Sequence, residues 1–277
     1  MSGTLYLVPT PIGNLGDISK RMADTLERVD FIAAEDTRVT VKLLNHLGIK
    51  KPMTPYHRHN LDTAGPAVLE RLLAGESCAL VTDAGTPAIS DPGEDLVALC
   101  AGAGVPVCAI PGPCALATAL SASGLPTARF TFEGFLPQNK KNRRARMSAL
   151  QIEERTMVFY EAPHRLAATL AELARVLGGE RRAVLCRELT KLHEEILRAP
   201  LGELADIFRS REPRGEFVLV VEGAPAREEG PADLDGALAR VEVLRSQGLS
   251  LKQATAQAAE EFGCRRRKLY ELTVAKK

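Results

Sequence analysis

The side chains best able to do chemistry in this chain gather where strand-like runs end. AAEDTR at 33–38 brings Glu35 and Asp36 out beside Arg38. YEAPHR at 160–165 does the same for Tyr160 and Glu161, and RELTKLH at 187–193 for Lys191 and His193. Charged groups are costly to bury alone, so such clusters should face a cleft or pair with one another. Asp36 or Thr37 can equally serve as the cap of a following helix. A second kind of feature is made of small residues. LVTDAGTPAISDPG at 80–93 breaks twice after a short apolar run, and PGP at 111–113 and PTPIGNLGDIS at 9–19 follow two other strand-like runs. Gly and Pro there remove bulk and fix a sharp path, which suits loops that approach a ligand with their backbone, and Asp83 adds a carboxylate beside the opening. Neither GxxxxGK[ST] nor GxGxxG occurs, so these loops carry no mononucleotide or dinucleotide signature. No GxSxG elbow, Cys/His nucleophile pair or metal-ligand spacing is found.

Two stretches suit nucleic acid. YHRHN at 56–60 combines an aromatic ring, Arg58 and Asn60, a mixture able to stack on and read an unpaired base. NKKNRRAR at 139–146 is the densest basic run, with Lys140, Arg143, Arg144 and Arg146 as candidate phosphate contacts, although a charged helix face explains it more simply.

The elements that must position these groups alternate between strand and helix, the pattern of α/β architecture. Strands are expected at 5–8, 31–34, 78–81 and 107–109, then at 130–135, 156–160, 183–187, 194–198 and 217–221. Helices are expected at 18–28, 39–46, 61–74, 96–103 and 115–123, and later at 165–176 and 201–211. A break at Gly124-Leu-Pro126 divides the chain into α/β domains at 1–124 and 125–224. The Pro-, Gly- and acid-rich stretch 223–235 reads as a linker to a helical extension at 232–277, with helices near 234–246, 251–262 and 266–272. Ser250 is placed to cap the second of these and Gly263 to stop it, and RRRK at 265–268 heads the third, as in a small helix-turn-helix. A solvated helical tail fits the same residues.

With 277 residues, 36 Lys and Arg against 35 Asp and Glu, and ordinary apolar content, the chain reads as a soluble protein with ample core whose nucleic-acid site, if present, is a local patch. Six cysteines without a CxxC pair, most of them in apolar segments, suit buried thiols in a reducing compartment. No signal peptide or membrane-length apolar run is visible, so a cytoplasmic location is expected. Group transfer without a metal, relying on positioning and a cofactor held by loops, is the chemistry these features suit.

Eight motifs occur in order to about Gly223: VPTPIGNLGDI, AAEDTR, VTDAGTPAISDPG, PGPCALATALSASGLP, FEGFLP, YEAPHR, RELTKLHEE and GEFVLVVEG. In this set the chain closely resembles the 16S rRNA (cytidine-2′-O)-methyltransferases of the tetrapyrrole methylase superfamily. One departure is Cys114, where that family more often has Ser. The resemblance implies a two-domain α/β methylase with S-adenosylmethionine in the cleft between domains, a homodimer, and action on a cytidine of 16S rRNA in the 30S subunit. It places the cofactor against Pro9, against Asp83, Ala84, Gly85, Pro87, Ala88 and Ile89, against Pro111, Gly112, Cys114 and Ala115, and against Tyr160. The reaction then needs alignment and help in removing the 2′-hydroxyl proton, for which Glu35, Asp36, Glu161 and Lys191 are the candidates. Arg38 and Arg58 join Lys140, Arg143, Arg144 and Arg146 as the groups expected to hold RNA. Two other readings stay open: methylation of a small molecule such as a tetrapyrrole, and a non-catalytic ribosome-assembly protein binding RNA through the tail. The basic segments weigh against the first and the Gly- and Pro-rich strand ends against the second.

Overall fold

A computed structural model describes residues 2–225, 233–264 and 266–275, in two compact units, Met1–Gly223 and Ala224–Lys277. The first unit contains two five-stranded sheets. In the first sheet β1 (Leu5–Leu7), β2 (Phe31–Ala34), β3 (Met53–Pro55), β4 (Cys78–Val81) and β5 (Val107–Ala109) run parallel in the order β3-β2-β4-β1-β5. Between them lie α1 (Lys20–Arg28), α2 (Thr37–Leu47), α3 (Leu61–Leu73) and α4 (Glu94–Gly102), and α5 (Ala115–Ser123) follows the last strand. Side chains alternate across the strands, so each face has its own core. Phe31, Ala33, Cys78 and Leu80 join Val68, Leu72 and Leu96 on one side. Ile32, Ala34, Ala79 and Val81 join Met22, Leu26 and Leu44 on the other. This double burial is why the strands read as unbroken apolar runs.

The second sheet has the order β6-β7-β10-β8-β9, from β6 (Phe130–Phe135), β7 (Thr156–Glu161), β8 (Arg182–Arg187), β9 (Glu195–Pro200) and β10 (Phe217–Val221). Only the β6–β7 pair is parallel. Met157, Phe159, Leu185, Phe217 and Leu219 face α7 (Pro163–Leu177) and α8 (Leu201–Ser210). The alternate residues Val158, Val184, Cys186, Val218 and Val220 face Ala119 and Leu120 of α5, together with Ile12 from the loop after β1. One helix of the first half therefore roofs the sheet of the second.

Two elements are absent from the strand and helix reading of the sequence. β3 is three residues long, follows Pro52 and ends in Pro55, so it has no alternation to read; its pairing with Ile32–Ala34 forms it. The basic run is helix α6 (Lys140–Leu150), capped by Asn139, which accepts from the Lys141 and Asn142 amides at 3.0 and 3.2 Å. The second unit holds α9 (Leu234–Ser246), α10 (Leu251–Glu261) and α11 (Arg266–Ala275) around a core of Leu238, Val241, Ala254, Ala258 and Leu269. Ser250 and Gln253 form a reciprocal capping box at the start of α10, and Gly263 takes a positive φ just past its end. Most of the expected linker, 226–232, and Arg265 of the basic cluster lie outside the described residues. Among the described residues no helix is long and apolar enough to cross a membrane.

Leu120 is a principal apolar anchor of α5 on the second sheet. Replacing it with Ala should cost about 3 kcal/mol, read as a lower urea midpoint with an unchanged slope. Burial of Leu120 would not be structurally important if the midpoint stayed put.

Candidate functional site: a cleft shared by two sheets

Three loops leave the carboxyl edge of the first sheet and are tied to one another. Thr10 and Gly85 exchange backbone hydrogen bonds at 2.9 and 3.0 Å, and the Thr10 hydroxyl donates to the Thr82 carbonyl at 3.0 Å. The Thr86 hydroxyl donates to the Pro113 carbonyl at 2.9 Å. The Gly85 amide is therefore spent on Thr10 and is not available to a ligand. Glycine is required there because φ is +87°, in a region that side chains rarely adopt. Gly112 has a packing reason, since a Cβ on it would run into the Pro9 ring.

Against these loops stand β7, β8 and β10 of the second sheet, leaving a cavity of about 420 Å³, within the usual size of small-molecule sites. Of the sequence-derived candidates, Glu35, Asp83, Ala84, Gly85, Ile89, Cys114, Ala115, Tyr160 and Glu161 line it. Pro9, Pro87, Ala88, Pro111 and Gly112 do not; Pro87 is buried and Pro111 and Gly112 are exposed. The wall also contains Asp91, Phe135, Leu189 and Glu216. Asp91 reads in the sequence as part of a turn, Asp-Pro-Gly, and periodicity carries no sign of its chemistry.

Tyr160 joins the two halves. Its hydroxyl accepts from the Leu116 amide at 3.0 Å, in the first turn of α5, where the cap residue Cys114 makes no side-chain bond. Burial, with Cys114 nearby, pushes the phenol up to about 12, so it stays neutral. Phe132 and Phe135 meet its ring edge-on, with centroids 4.9 and 5.8 Å away.

The four catalytic candidates separate by the partners they hold. Asp36 caps α2, accepting from the Arg38 amide at 2.8 Å and from its guanidinium at 2.6 Å. These bonds hold its carboxyl down at about 2, and it does not line the cavity. Glu161 is almost fully buried, accepting from Thr169 Oγ1 at 2.6 Å and the Ala162 amide at 2.9 Å, with Arg165 Nε 3.4 Å away. Lys191 lies outside the cavity, bound to Glu188 at 2.8 Å and Glu216 at 3.0 Å. Burial works against its charge, but the two carboxylates outweigh it and raise its pKa. Glu35 faces the cavity and accepts from the Asp83 amide at 3.3 Å. Burial raises its carboxyl, the Asp83 amide opposes this, and the Asp83 charge adds to the rise. In this arrangement Asp36 caps a helix and Lys191 clamps two carboxylates, while Glu35 and Glu161 line the cavity.

The basic candidates divide likewise. Arg143 is drawn inward, with Nε 2.6 Å from Glu172 and Nη2 donating to Thr169 at 2.9 Å. Arg146 pairs with the buried carboxylate of Glu133. Both hold partners within the fold. Lys140, Lys141 and Arg144 point into solvent with no carboxylate partner among the described residues. Arg58 is exposed and donates to the Ser90 carbonyl at the cleft, and Arg38 is exposed while paired with Asp36. Tyr56, read in the sequence as a stacking ring, is completely buried, and Asn60 is spent on His57 and Pro55 within its own turn. Among the described residues no group of His, Cys, Asp and Glu could hold a metal.

Residues 4–205 match the model of the family Tetrapyrrole (Corrin/Porphyrin) Methylases, the class that the two sheets and their shared cleft define. Ribosomal RNA small subunit methyltransferase I of Escherichia coli O157:H7 is 50% identical over 97% of this chain and 94% of its own length. The protein of the same name from Synechocystis sp. is 48% identical over 98% of both chains. Among solved structures, uroporphyrin-III C-methyl transferase from Thermus thermophilus complexed with S-adenyl homocysteine superposes with a TM-score of 0.55 at 20% identity, covering 79% of this chain and 97% of that one. The chain belongs to the tetrapyrrole methylases and, within them, to the family of ribosomal RNA small subunit methyltransferase I.

The division among the arginines is measurable. Arg143→Ala should lower stability by about 2 kcal/mol, because it strands Glu172 and removes a donor from Thr169, whereas Arg144→Ala should change it by less than about 0.5 kcal/mol. Equal effects in thermal unfolding would contradict the assignment.

Proposed function

We propose that this protein transfers a methyl group from S-adenosylmethionine to the ribose 2′-oxygen of a cytidine in 16S rRNA. We further propose that it works in the cytoplasm, as a homodimer, on the 30S subunit. The observation that carries the reading is the cleft shared by two sheets, together with membership of a family whose relatives are named for small-subunit rRNA. Domains at 1–124 and 125–224 would each contribute a wall, and the extension at 232–277 would add a further surface.

The residues fit the cofactor. Apolar walls from Ile12, Ile89, Ala115 and Val218 suit a nucleoside, and carboxylates at Glu35 and Asp83 suit a cationic ligand with ribose hydroxyls. Asp83, Ala84, Gly85, Ile89, Cys114, Ala115 and Tyr160 would hold it, while Pro9, Pro87, Ala88, Pro111 and Gly112 shape the loops behind them. When bound, S-adenosylmethionine supplies a methyl already activated on a sulfonium, so the protein's share is alignment, exclusion of water and management of one proton. Tyr160 keeps both walls in register through Leu116. Glu35 contributes negative charge at the first-sheet edge, and Glu161 holds the start of α7 through Arg165 and Thr169. Arg58, Lys140, Lys141 and Arg144, with Arg38 beside them, would meet phosphates.

Tritium transfer from labelled S-adenosylmethionine to unmodified 30S subunits, free 16S rRNA and a tetrapyrrole separates the readings. Label should enter the 30S subunit at a cytidine ribose; label in the tetrapyrrole alone would replace this function with small-molecule methylation. Gly85→Val should weaken S-adenosylmethionine binding at least about tenfold in calorimetry, because a β-branched residue at φ +87° costs about 1–3 kcal/mol and its methyls crowd Ile12. Wild-type affinity would remove the loop from the site. Changing Lys140, Lys141 and Arg144 to Ala should flatten the log–log salt dependence of 30S binding by about one for each phosphate no longer neutralised. An unaltered slope would leave α6 a solvated face.

A further inference from the structure

The cavity is lined by five carboxylates, Glu35, Asp83, Asp91, Glu161 and Glu216. Three of them already hold a donor, and a fourth has one beside it. Glu35 accepts from the Asp83 amide, and the Asp36 amide lies beside Asp83 and lowers its pKa. Glu161 accepts from Thr169 and Ala162, and Glu216 is bound to Lys191. Asp91 accepts no hydrogen bond, forms no ion pair among the described residues and, unlike Asp83, has no backbone donor beside it, so the lone pairs of both oxygens are open to a ligand.

Its backbone is firmly held. The Ala88 amide donates to the Pro92 carbonyl across the turn, and Ala88 and Ser90 sit at φ +66° and +68°, positions that few side chains take. Gly93, at φ +143°, presses on Leu80 and Ala88 where any Cβ would clash. Arg58 grips the Ser90 carbonyl from the neighbouring loop. A turn that costs this much backbone strain is retained where the surrounding structure fixes it. Here it aims a carboxylate at the cavity wall, at the carboxyl edge of the first sheet, where ligands of α/β sheets bind.

We propose that Asp91 is the catalytic residue that accepts the proton of the attacking ribose hydroxyl, an assignment that rests on the methyl transfer put forward above. As the 2′-oxygen forms its bond to the methyl carbon, the carbon–sulfur bond breaks and its electron pair stays on sulfur. The hydroxyl proton passes to an Asp91 oxygen, and water carries it away after product leaves. The electrostatics agree with the geometry. Burial, then the Glu35 charge, pushes the Asp91 carboxyl up to about 6; Arg58 opposes the rise and Asp83 adds to it, while Glu161 and Glu216 face the same cavity. A carboxylate with that pKa is a better base than an ordinary one and is still ionised at neutral pH. Glu35 thus becomes a positioning residue, since its charge sets the strength of the base beside it.

The test is single-turnover methylation of 30S subunits at saturating S-adenosylmethionine, from pH 5 to 9. The wild-type rate should fall with unit slope below about pH 6. Asp91→Asn should transfer methyl at least about a hundredfold more slowly at pH 7.5 while binding S-adenosylmethionine with wild-type affinity. It should also lack the acid limb, and Asp91→Glu should restore part of the rate. Glu35→Gln should move the limb to lower pH, because a like charge beside Asp91 is gone. An Asp91→Asn rate within a few-fold of wild type would overturn the assignment and leave the methyltransferase reading standing. If that variant fails to fold, a flat wild-type profile through pH 6 overturns it equally. Absence of any transfer by the wild-type protein to 30S subunits would sink both the function and the role of Asp91.

Discussion

The packing of α5 on the second sheet is the interaction on which the site depends. Ala119 and Leu120 sit against the alternate side chains of β7, β8 and β10, and Ile12 joins them from the loop after β1. The first sheet completes both of its cores without help, through α1 and α2 on one face and α3 and α4 on the other, and the second completes its outer core through α7 and α8. The cleft exists because this one apolar seam brings the carboxyl edge of a parallel sheet up to the face of a mostly antiparallel one. Hydrophobic burial has no direction, so polar contacts must set the register of the seam. Tyr160 does this by accepting the Leu116 amide that Cys114 leaves without a side-chain cap.

Charge in the cleft is arranged by the same economy. Five carboxylates around about 420 Å³ repel one another and lose hydration, and two of them, Glu161 and Glu216, are held by strong donors. Lys191 spans Glu188 and Glu216 while its aliphatic stem covers Gly13, which links the loop after β8 to the loop after β1. The carboxylates without strong donors, Glu35, Asp83 and Asp91, all shift upward, with burial the largest cause in each case. The raised carboxylates thereby lie on the first-sheet side of the cleft, and the carboxylates held by Thr169 and Lys191 on the second.

The basic helix illustrates how one run of residues serves two purposes. Residues on one face of α6 bind Glu172, Thr169 and the buried Glu133, and through Thr169 they connect to Glu161 at the cleft. Lys140, Lys141 and Arg144 remain on the solvent side. Helical spacing divides neighbours in sequence between these faces, so a positive stretch is partly a structural brace and partly a surface.

Strand and helix identity was legible in the sequence because it rests on local rules. Apolar runs such as Cys78–Val81, the Ser250 cap and the glycine at 263 each report their own backbone state. The tight paths of the loops after β1, β4 and β5 were legible for the same reason, since Gly and Pro declare such a path without knowledge of neighbours. The three-residue β3 and helix α6 were not, because pairing with β2 forms the one and an Asn139 cap begins a helix poor in apolar residues in the other. The roles of charged side chains were decided by tertiary structure alone. Asp36 and Asp91 are the same residue type after two parallel strands, yet Arg38 holds one ionised and burial beside Glu35 raises the other. A carboxylate's chemistry depends on which donors and charges surround it, and those arrive from segments distant in the chain, which residue spacing does not encode.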